Sequence, residues 1–406
     1  MSTLAEDAVA APPINPTGWL AYNNSAARVV LKPGAIAEMG GEVDALGCRR
    51  LLLVSGPHTR ASRLFAKVRD ALGERVVGVF EEVVEHSATT LVTQGAEQAR
   101  SLSIDGIVAV GGGSASDTAK GIAILLAEGG RIEEHASTFI PPDRFFPKDL
   151  PSPKLPVIAV PTTGSAAEVT PGLGIRDEAG KKLLFWDVKL ASRLIILDPE
   201  ANVEVPADLL ARTSMNGLAH CVEGLYSRLR NPISEALALQ GIRLFMDALP
   251  QLPGKPGDVE IRGRILAAAH LSGMVISNAR VGIHHAVCHC LGALGGLSHG
   301  TANSVMLPYA MAYNLPVAAA PLALMARFMG IDTASLSERQ AAEAAIQAVR
   351  DLQAAAGVPA RLRETDLDKA LLPRIAEHTM GDRGLFFNPR RTERVEAVLQ
   401  LLEEAW

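Results

Sequence analysis

The chain has 406 residues, of which 48% are hydrophobic and 20% charged, and its formal net charge is -5. That length suits two or three domains with a sizeable core, and the apolar content rules out a disordered chain. A negative balance without any basic run argues against a nucleic-acid binder that works by neutralising phosphates.

Met1 to Pro16 is rich in Ala and Pro, carries Glu6 and Asp7, and reads as a flexible tail. It has neither the basic start nor the apolar core of a secretory signal, and no apolar run reaches the length of a membrane span. The expected compartment is therefore the cytoplasm, with no membrane partner. Cys48, Cys221, Cys288 and Cys290 include no Cys-x-x-Cys pair, which argues against a disulfide framework or a cysteine-held zinc.

Val29 to Gly34 predicts a short strand ending in the turn Pro33-Gly34. Arg50 to Gly56 is an apolar run closed by small residues, the pattern of a parallel strand buried on both faces. Ala61 to Leu72 has helical spacing, Val77 to Val83 is strand-like, and Thr89 to Ser101 is helical again. Gly106 to Val110 predicts a strand running into three glycines, with a helix from Ala115 to Ala127. The Pro-rich stretch Ala136 to Pro156 reads as an irregular loop or insertion. Further strands are expected at Leu155 to Val160 and Leu194 to Leu197. Such alternation specifies a parallel sheet covered by helices. After Asp198-Pro199 the texture changes to long Ala- and Leu-rich helical patterns at Ser214 to Ser227, Ile233 to Leu249, Val259 to Asn278 and Leu336 to Ala356. The fold class is thus an α/β part with a parallel sheet over 17–200, followed by an all-α part over 201–406.

Two groupings carry chemistry. The run Gly111-Gly112-Gly113-Ser114-Ala115-Ser116-Asp117 leaves a strand and opens a helix. Glycines let backbone amides approach a phosphate, and the helix N-terminus adds partial positive charge. Ser114 and Ser116 can cap the helix or bond phosphate oxygens. An ordinary strand-to-helix turn could look similar: this is not Gly-x-Gly-x-x-Gly, and Lys120 is not placed as a P-loop lysine. The second grouping is histidine-rich. Asn216 and His220 share a helix face at i,i+4, as do His285 and His289, with His284 adjacent and His299 past a Gly-rich turn. One lone histidine is more often a satisfied core residue. This grouping is raw material for a metal site or a proton relay.

At this point the motifs match a family. Gly111 to Lys120, read as Gly-Gly-Gly-Ser-x-x-Asp-x-x-Lys, resembles the pyrophosphate-binding motif of the iron-containing (group III) alcohol dehydrogenases. Pro161-Thr162-Thr163 followed by Glu168-Val169-Thr170 is similar to their next cofactor-contacting segment. His285-Ala286-Val287-Cys288-His289-Cys290-Leu291-Gly292, then Ser298-His299-Gly300, resembles their two-histidine signature. Asn303 to Asn314 and Asn388-Pro389-Arg390 extend the match. The resemblance implies a dehydroquinate synthase-like architecture, with an N-terminal dinucleotide-binding domain and a helical catalytic domain. It implies NADH or NADPH held by Gly111, Gly112, Gly113, Ser114, Asp117, Thr162 and Thr163, with Ser55 and Gly56 at the end of the early strand. It also implies a divalent metal, iron or zinc, at Asn216, His220, His285 and His299, and a proton relay through His289.

Asn216 departs from the family, which has Asp there. A neutral amide is a poorer ligand than a carboxylate, so metal affinity should fall. The same Asn, the paired His284-His285 and the short segment Pro161 to Thr170 resemble the maleylacetate reductase branch, which implies reduction of maleylacetate to 3-oxoadipate in aromatic compound degradation. The Pro-rich stretch departs from that branch. The first expectation is an NAD(P)H-dependent reductase of this kind, with His220, His285, His289 and His299 catalytic and Arg280 or Arg390 assisting. The alternatives are a metal-dependent alcohol dehydrogenase using His220, His285 and His299, and a dinucleotide-binding sensor without catalysis. No acid follows the strand at Val54-Ser55-Gly56, so NADPH is expected to serve as well as NADH. The expected partners are a small-molecule substrate and a second copy of the chain in a homodimer.

Overall fold

Six short apolar runs pair into one parallel sheet in the computed structural model, which describes residues 20, 22–24, 27–85, 87–140 and 144–406. The tail expected over Met1 to Pro16 lies outside the described residues. The sheet strands are β1 (Arg28–Leu31), β2 (Leu51–Val54), β3 (Val76–Phe80), β4 (Gly106–Gly111), β7 (Val157–Pro161) and β10 (Leu194–Leu197). Their order across the sheet is β1-β10-β7-β4-β2-β3. Every residue of β2, β4, β7 and β10 is buried, which is why these strands are continuous apolar runs and not alternating ones.

Successive side chains point to opposite faces, so one strand feeds two cores. Leu52, Val54, Ile107 and Ala109 pack against Val92 and Ala96 of α4 (Thr89–Ser101) and Ala119 and Ile122 of α5 (Gly113–Glu128). Leu51, Leu53, Val108 and Val110 pack on the other face, against Met39 and Val43 of α1 (Met39–Ala45) and Phe65 and Val68 of α3 (Arg63–Leu72). A short α2 (Pro57–Arg60) precedes α3. The crossover after β2 therefore runs over one face and the crossover after β3 over the other. That reversal puts a crevice at the carboxyl ends of β2 and β4, the usual binding place in a doubly wound sheet.

Two antiparallel hairpins were not foreseen. β5 (Thr138–Ile140) pairs with β6 (Arg144–Phe146) within the stretch read as irregular, and beyond β7, β8 (Gly172–Arg176) pairs with β9 (Lys182–Trp186). β8 alternates between half-buried and buried residues, with Leu173 and Ile175 turned into the core.

Beyond β10 the described chain is helical: α6 (Ala207–Tyr226), α7 (Pro232–Ala248), α8 (Val259–Ala279), α9 (Ile283–Gly295), α10 (His299–Phe328), α11 (Glu338–Ala356), α12 (Leu372–Thr379), α13 (Gly384–Phe387) and α14 (Val395–Ala405). One core gathers α6, α7, α8, α10 and α11, and a second gathers α9, α12 and α14 against the start of α10. α10 corrects the sequence reading on apolar length: its 30 residues are long and apolar enough to cross a membrane by composition alone. However, 61% of its most apolar stretch is buried inside the protein, and it is a core helix kinked at Ala318 among Pro308, Pro316 and Pro321.

Candidate active site

A cleft of about 620 Å³ runs between the α/β part and the helical part. One end is built from strand termini. Gly111 closes β4 at φ +145, a conformation open to glycine, and Gly112 serves as N-cap of α5 without help from any side chain. The capping role foreseen for Ser114 and Ser116 is thus not used, and Ser116 is buried. Gly56, Gly111, Gly112, Gly113, Ser114, Asp117 and Thr163 line the cleft. Ser55 and Thr162 lie just behind it: Ser55 is fully buried, and Thr162 donates its N–H to the Gly111 carbonyl at 3.0 Å. The α5 N-terminus with three glycine amides offers a bed for a pyrophosphate. Glu85, beyond β3, also lines this end. The sheet places the ends of β2 and β3 side by side, so an acid beyond β3 shares this end of the cleft although none follows β2 in the chain.

The other end is built from three helices. α6 presents Asn216 and His220, α9 presents His285 and His289, and all four line the cleft with His299. His299 is the first residue of α10, with Ser298 as N-cap, and not a loop residue as the sequence suggested. α6 and α10 approach closely at Gly300, where a Cβ would lie 3.2 Å from the Arg212 backbone, and α6 touches the segment after β7 at Gly217, where a Cβ would lie 2.9 Å from the Gly164 carbonyl oxygen. The rings of His220 and His285 stack at 4.8 Å between centroids, those of His289 and His299 at 5.8 Å, and His285 and His299 are 5.8 Å apart.

His285 and His289 are each held by a second group. Glu223, seven residues after Asn216 on α6, is fully buried and accepts from the backbone N–H of Gly282 at 2.9 Å and His284 at 3.0 Å. Its other oxygen faces His285 Nδ1 at 2.5 Å. His285 Nε2 lies 2.9 Å from the Asn216 side-chain oxygen position. Burial, with repulsion from His289, drives the His285 pKa well below its ordinary value, so the ring is neutral. A neutral ring donates through one nitrogen only, so Nδ1–H serves Glu223 and Nε2 accepts from the Asn216 amide turned NH2-inward. His220 and His299 are likewise lowered, first by burial and then by neighbouring histidines. Burial also pushes Glu223 up to about 7. His289 Nδ1 pairs with Asp382 at 2.8 Å. Burial alone would raise the Asp382 pKa, but His289 and the Gly384 N–H hold it far below the ordinary carboxylate range.

Can the donors hold a metal? His220, His285 and His299 supply three imidazole nitrogens of the kind zinc and iron accept, and the Nδ1–H···Glu223 bond is the usual support for a metal-ligating ring. Asn216 adds a neutral oxygen, so the set carries no charge to offset the cation. A divalent ion held there would polarise a carbonyl as a Lewis acid. The ligand atoms of Glu223, His284 and His285 also lie within 4.8 Å of one another, but this group is engaged in hydrogen bonds, His284 Nε2 facing the Asn303 carbonyl at 3.1 Å.

Glu223, Asp382, Lys182 and Arg383 were missed by sequence reasoning. Glu223 could have been found, since 216, 220 and 223 share one helical face; Asp382 and Arg383 carry no comparable local signal. Arg390, named as a helper, is structural: it is buried, donates to the Tyr313 carbonyl at 2.8 Å and stacks on the Tyr313 ring.

Residues 26–199 match the family described as iron-containing alcohol dehydrogenase, and residues 210–406 match the C-terminal part of the same family. A maleylacetate reductase from Pseudomonas sp. is 32% identical over 93% of this chain and 95% of its own length. A 1,3-propanediol dehydrogenase from Citrobacter freundii is 35% identical over 92% and 96%. The crystal structure of a 1,3-propanediol oxidoreductase superposes with a TM-score of 0.88 at 32% identity, covering 93% of this chain and 97% of that one. With the family spanning both halves and the cleft between them, the chain belongs to the iron-containing alcohol dehydrogenases and is an NAD(P)-dependent oxidoreductase.

Proposed function

We propose that the protein is an NAD(P)H-dependent reductase of the maleylacetate reductase type, carrying maleylacetate to 3-oxoadipate. The observation that carries this reading is Asn216. It places a neutral amide, bonded to His285, where the family has an aspartate. The nicotinamide would deliver hydride from the glycine-loop side, and the histidine end would supply the proton and stabilise developing negative charge. His289 is the better placed proton donor, since its side chain is 25% exposed and paired with Asp382, whereas that of His285 is 4% exposed. His220 and His299 complete the polar wall. On this reading the protein acts in the cytoplasm as a homodimer, with a domain division near residue 200.

The second reading is a metal-dependent alcohol dehydrogenase, favoured by the gathering of His220, His285 and His299 on one wall. Elemental analysis with NADH oxidation assays on maleylacetate and on simple aldehydes separates the two. Turnover of maleylacetate that survives EDTA is expected. Full loss on chelation, restored by zinc or iron, favours the alcohol dehydrogenase. Absence of NADH consumption with every carbonyl compound would indicate a sensor.

A further inference from the structure

The cofactor end of the cleft holds an acid that strand order, and not sequence order, puts in place. In many dinucleotide-binding folds a carboxylate beside the glycine loop bonds the ribose 2′-hydroxyl, and an arginine there takes a 2′-phosphate. Here β2 ends in Ser55-Gly56, and the space a side chain on residue 56 would take is filled from the next strand: its Cβ would lie 2.9 Å from the Val83 carbonyl oxygen. Val83 donates its N–H to the Ser55 carbonyl at 3.3 Å, so the segment leaving β3 runs on beside the end of β2. Glu85 joins the cleft wall two residues later, together with Val84, His58 and Thr59. The turn that carries it is fixed at its far side by Ser87, which is buried at φ +48, a left-handed backbone that costs a residue other than glycine. The Ser87 N–H donates to the Val84 carbonyl at 3.1 Å, and its hydroxyl lies 2.8 Å from that of Thr118 on α5. Thr118 gives its one hydroxyl hydrogen to the Ser114 carbonyl at 2.8 Å, so Ser87 is the donor of that pair. The Glu85 turn is thereby tied to the first turns of the helix that carries the phosphate bed. Among the described residues 56–59 and 83–85 that line this end there is no Lys or Arg, and Arg60, next in the chain, pairs with Glu81 at 3.0 Å. The wall thus offers a hydroxyl an acceptor and offers a second phosphate no strong cation.

We propose that Glu85 accepts a hydrogen bond from the 2′-hydroxyl of the adenosine ribose and repels a 2′-phosphate, so that the enzyme selects NADH over NADPH. NADPH is then disfavoured, contrary to the expectation drawn from the missing acid after β2. The selection is independent of the carbonyl substrate, since the reductase and the alcohol dehydrogenase readings use the same phosphate bed. Affinities for NADH and NADPH are measured by nucleotide fluorescence on the full chain, without carbonyl substrate, for wild type, Glu85→Gln, Glu85→Ala and Glu82→Gln. Glu85 is exposed, so its replacement leaves the core intact. Glu82 is also exposed and stands outside the cleft wall, so its replacement removes a charge from the same edge without touching the ribose seat. Wild type should bind NADH about 10- to 100-fold more tightly than NADPH, the scale of one hydrogen bond to a charged group. Glu85→Gln, which keeps an acceptor and loses the charge, should tighten NADPH by about 10-fold and change NADH less. Glu85→Ala should weaken NADH by about 10-fold and bring the two cofactors near parity. Glu82→Gln should keep the wild-type ratio. Equal wild-type affinities, or a ratio that Glu85→Gln leaves unmoved, overturns the proposal. So does a Glu82→Gln shift as large as that of Glu85→Gln, because the selection would then be a diffuse field that any carboxylate on this edge supplies.

Discussion

His285 and His289 sit one turn apart on α9 yet have different surroundings. Glu223 and Asn216 bracket His285 in a dry pocket, while His289 meets the cleft with Asp382 behind it. Replacing either with Ala should cut turnover by roughly two orders of magnitude, the scale of losing positioned acid catalysis. NADH affinity should hardly move, because the glycine loop lies in the other half of the molecule. Steady-state kinetics with nucleotide fluorescence checks both. A His285→Ala protein that keeps its turnover but melts at lower temperature would make that ring structural. At this scale the cofactor end also carries a constraint: a Cβ on Gly56 would come within 2.9 Å of the Val83 carbonyl oxygen, so an acid introduced there would distort the loop instead of reading out cofactor choice.

At the scale of elements, α5 does more than present the glycine loop. Lys120, two turns into the helix, is fully buried and donates to the carbonyls of Ala167, Thr170 and Gly172 at 2.5, 2.6 and 3.1 Å. The lysine of the glycine-loop motif is therefore a tie that fixes the segment leading from Thr163 into β8. Burial lowers its pKa to about 8, against the opposing pull of Asp117 and Glu168. Between that value and the unfolded value near 10.4, the folded state binds fewer protons than the unfolded one, so this group's contribution to stability rises with pH, by at most about 1.4 kcal/mol per pH unit. Lys120→Met lacks that term. Its stability deficit relative to wild type, on the order of 3 kcal/mol at neutral pH from three carbonyls left without a donor, should widen between pH 8 and 10. Urea unfolding at several pH values measures the difference, and a deficit that stays flat or narrows would contradict it.

For the whole molecule, the decisive feature is the joint between sheet and helices. Arg262 of α8 is buried and binds the carbonyls of Asn202, Val205 and Pro256, the last two at 2.9 and 2.7 Å, and Asn202 in turn reaches the Thr162 carbonyl at 3.3 Å. One guanidinium thus pins the link between the two parts to the edge of the cofactor segment. Arg262→Met should destabilise the protein by about 3–5 kcal/mol, because it strands buried acceptors. It should also weaken NADH binding, since the cleft walls are no longer held in register. Thermal melts with and without NADH test both, and a loss of stability with unchanged NADH affinity would mean that the joint does not set the cleft.

Much of this arrangement can be read without coordinates, where local patterns and local physics agree. Continuous apolar runs marked β2, β4, β7 and β10 because strands buried on both faces need no alternation. The helices of the second half followed from 3.6-residue spacing, and i,i+4 spacing placed Asn216 beside His220 and His285 beside His289. The two hairpins escaped because their strands are only three to five residues long and take their order from neighbours across the fold. Tertiary structure alone decided that α6, α9 and the start of α10 converge, that Glu223 and Asp382 stand behind the histidines, and that Lys182 of a hairpin and Arg383 of a distant loop line the same cleft. Those contacts join residues far apart in the chain. A linear pattern records what a residue can do, whereas the partner that makes it do so is chosen by packing of the whole core.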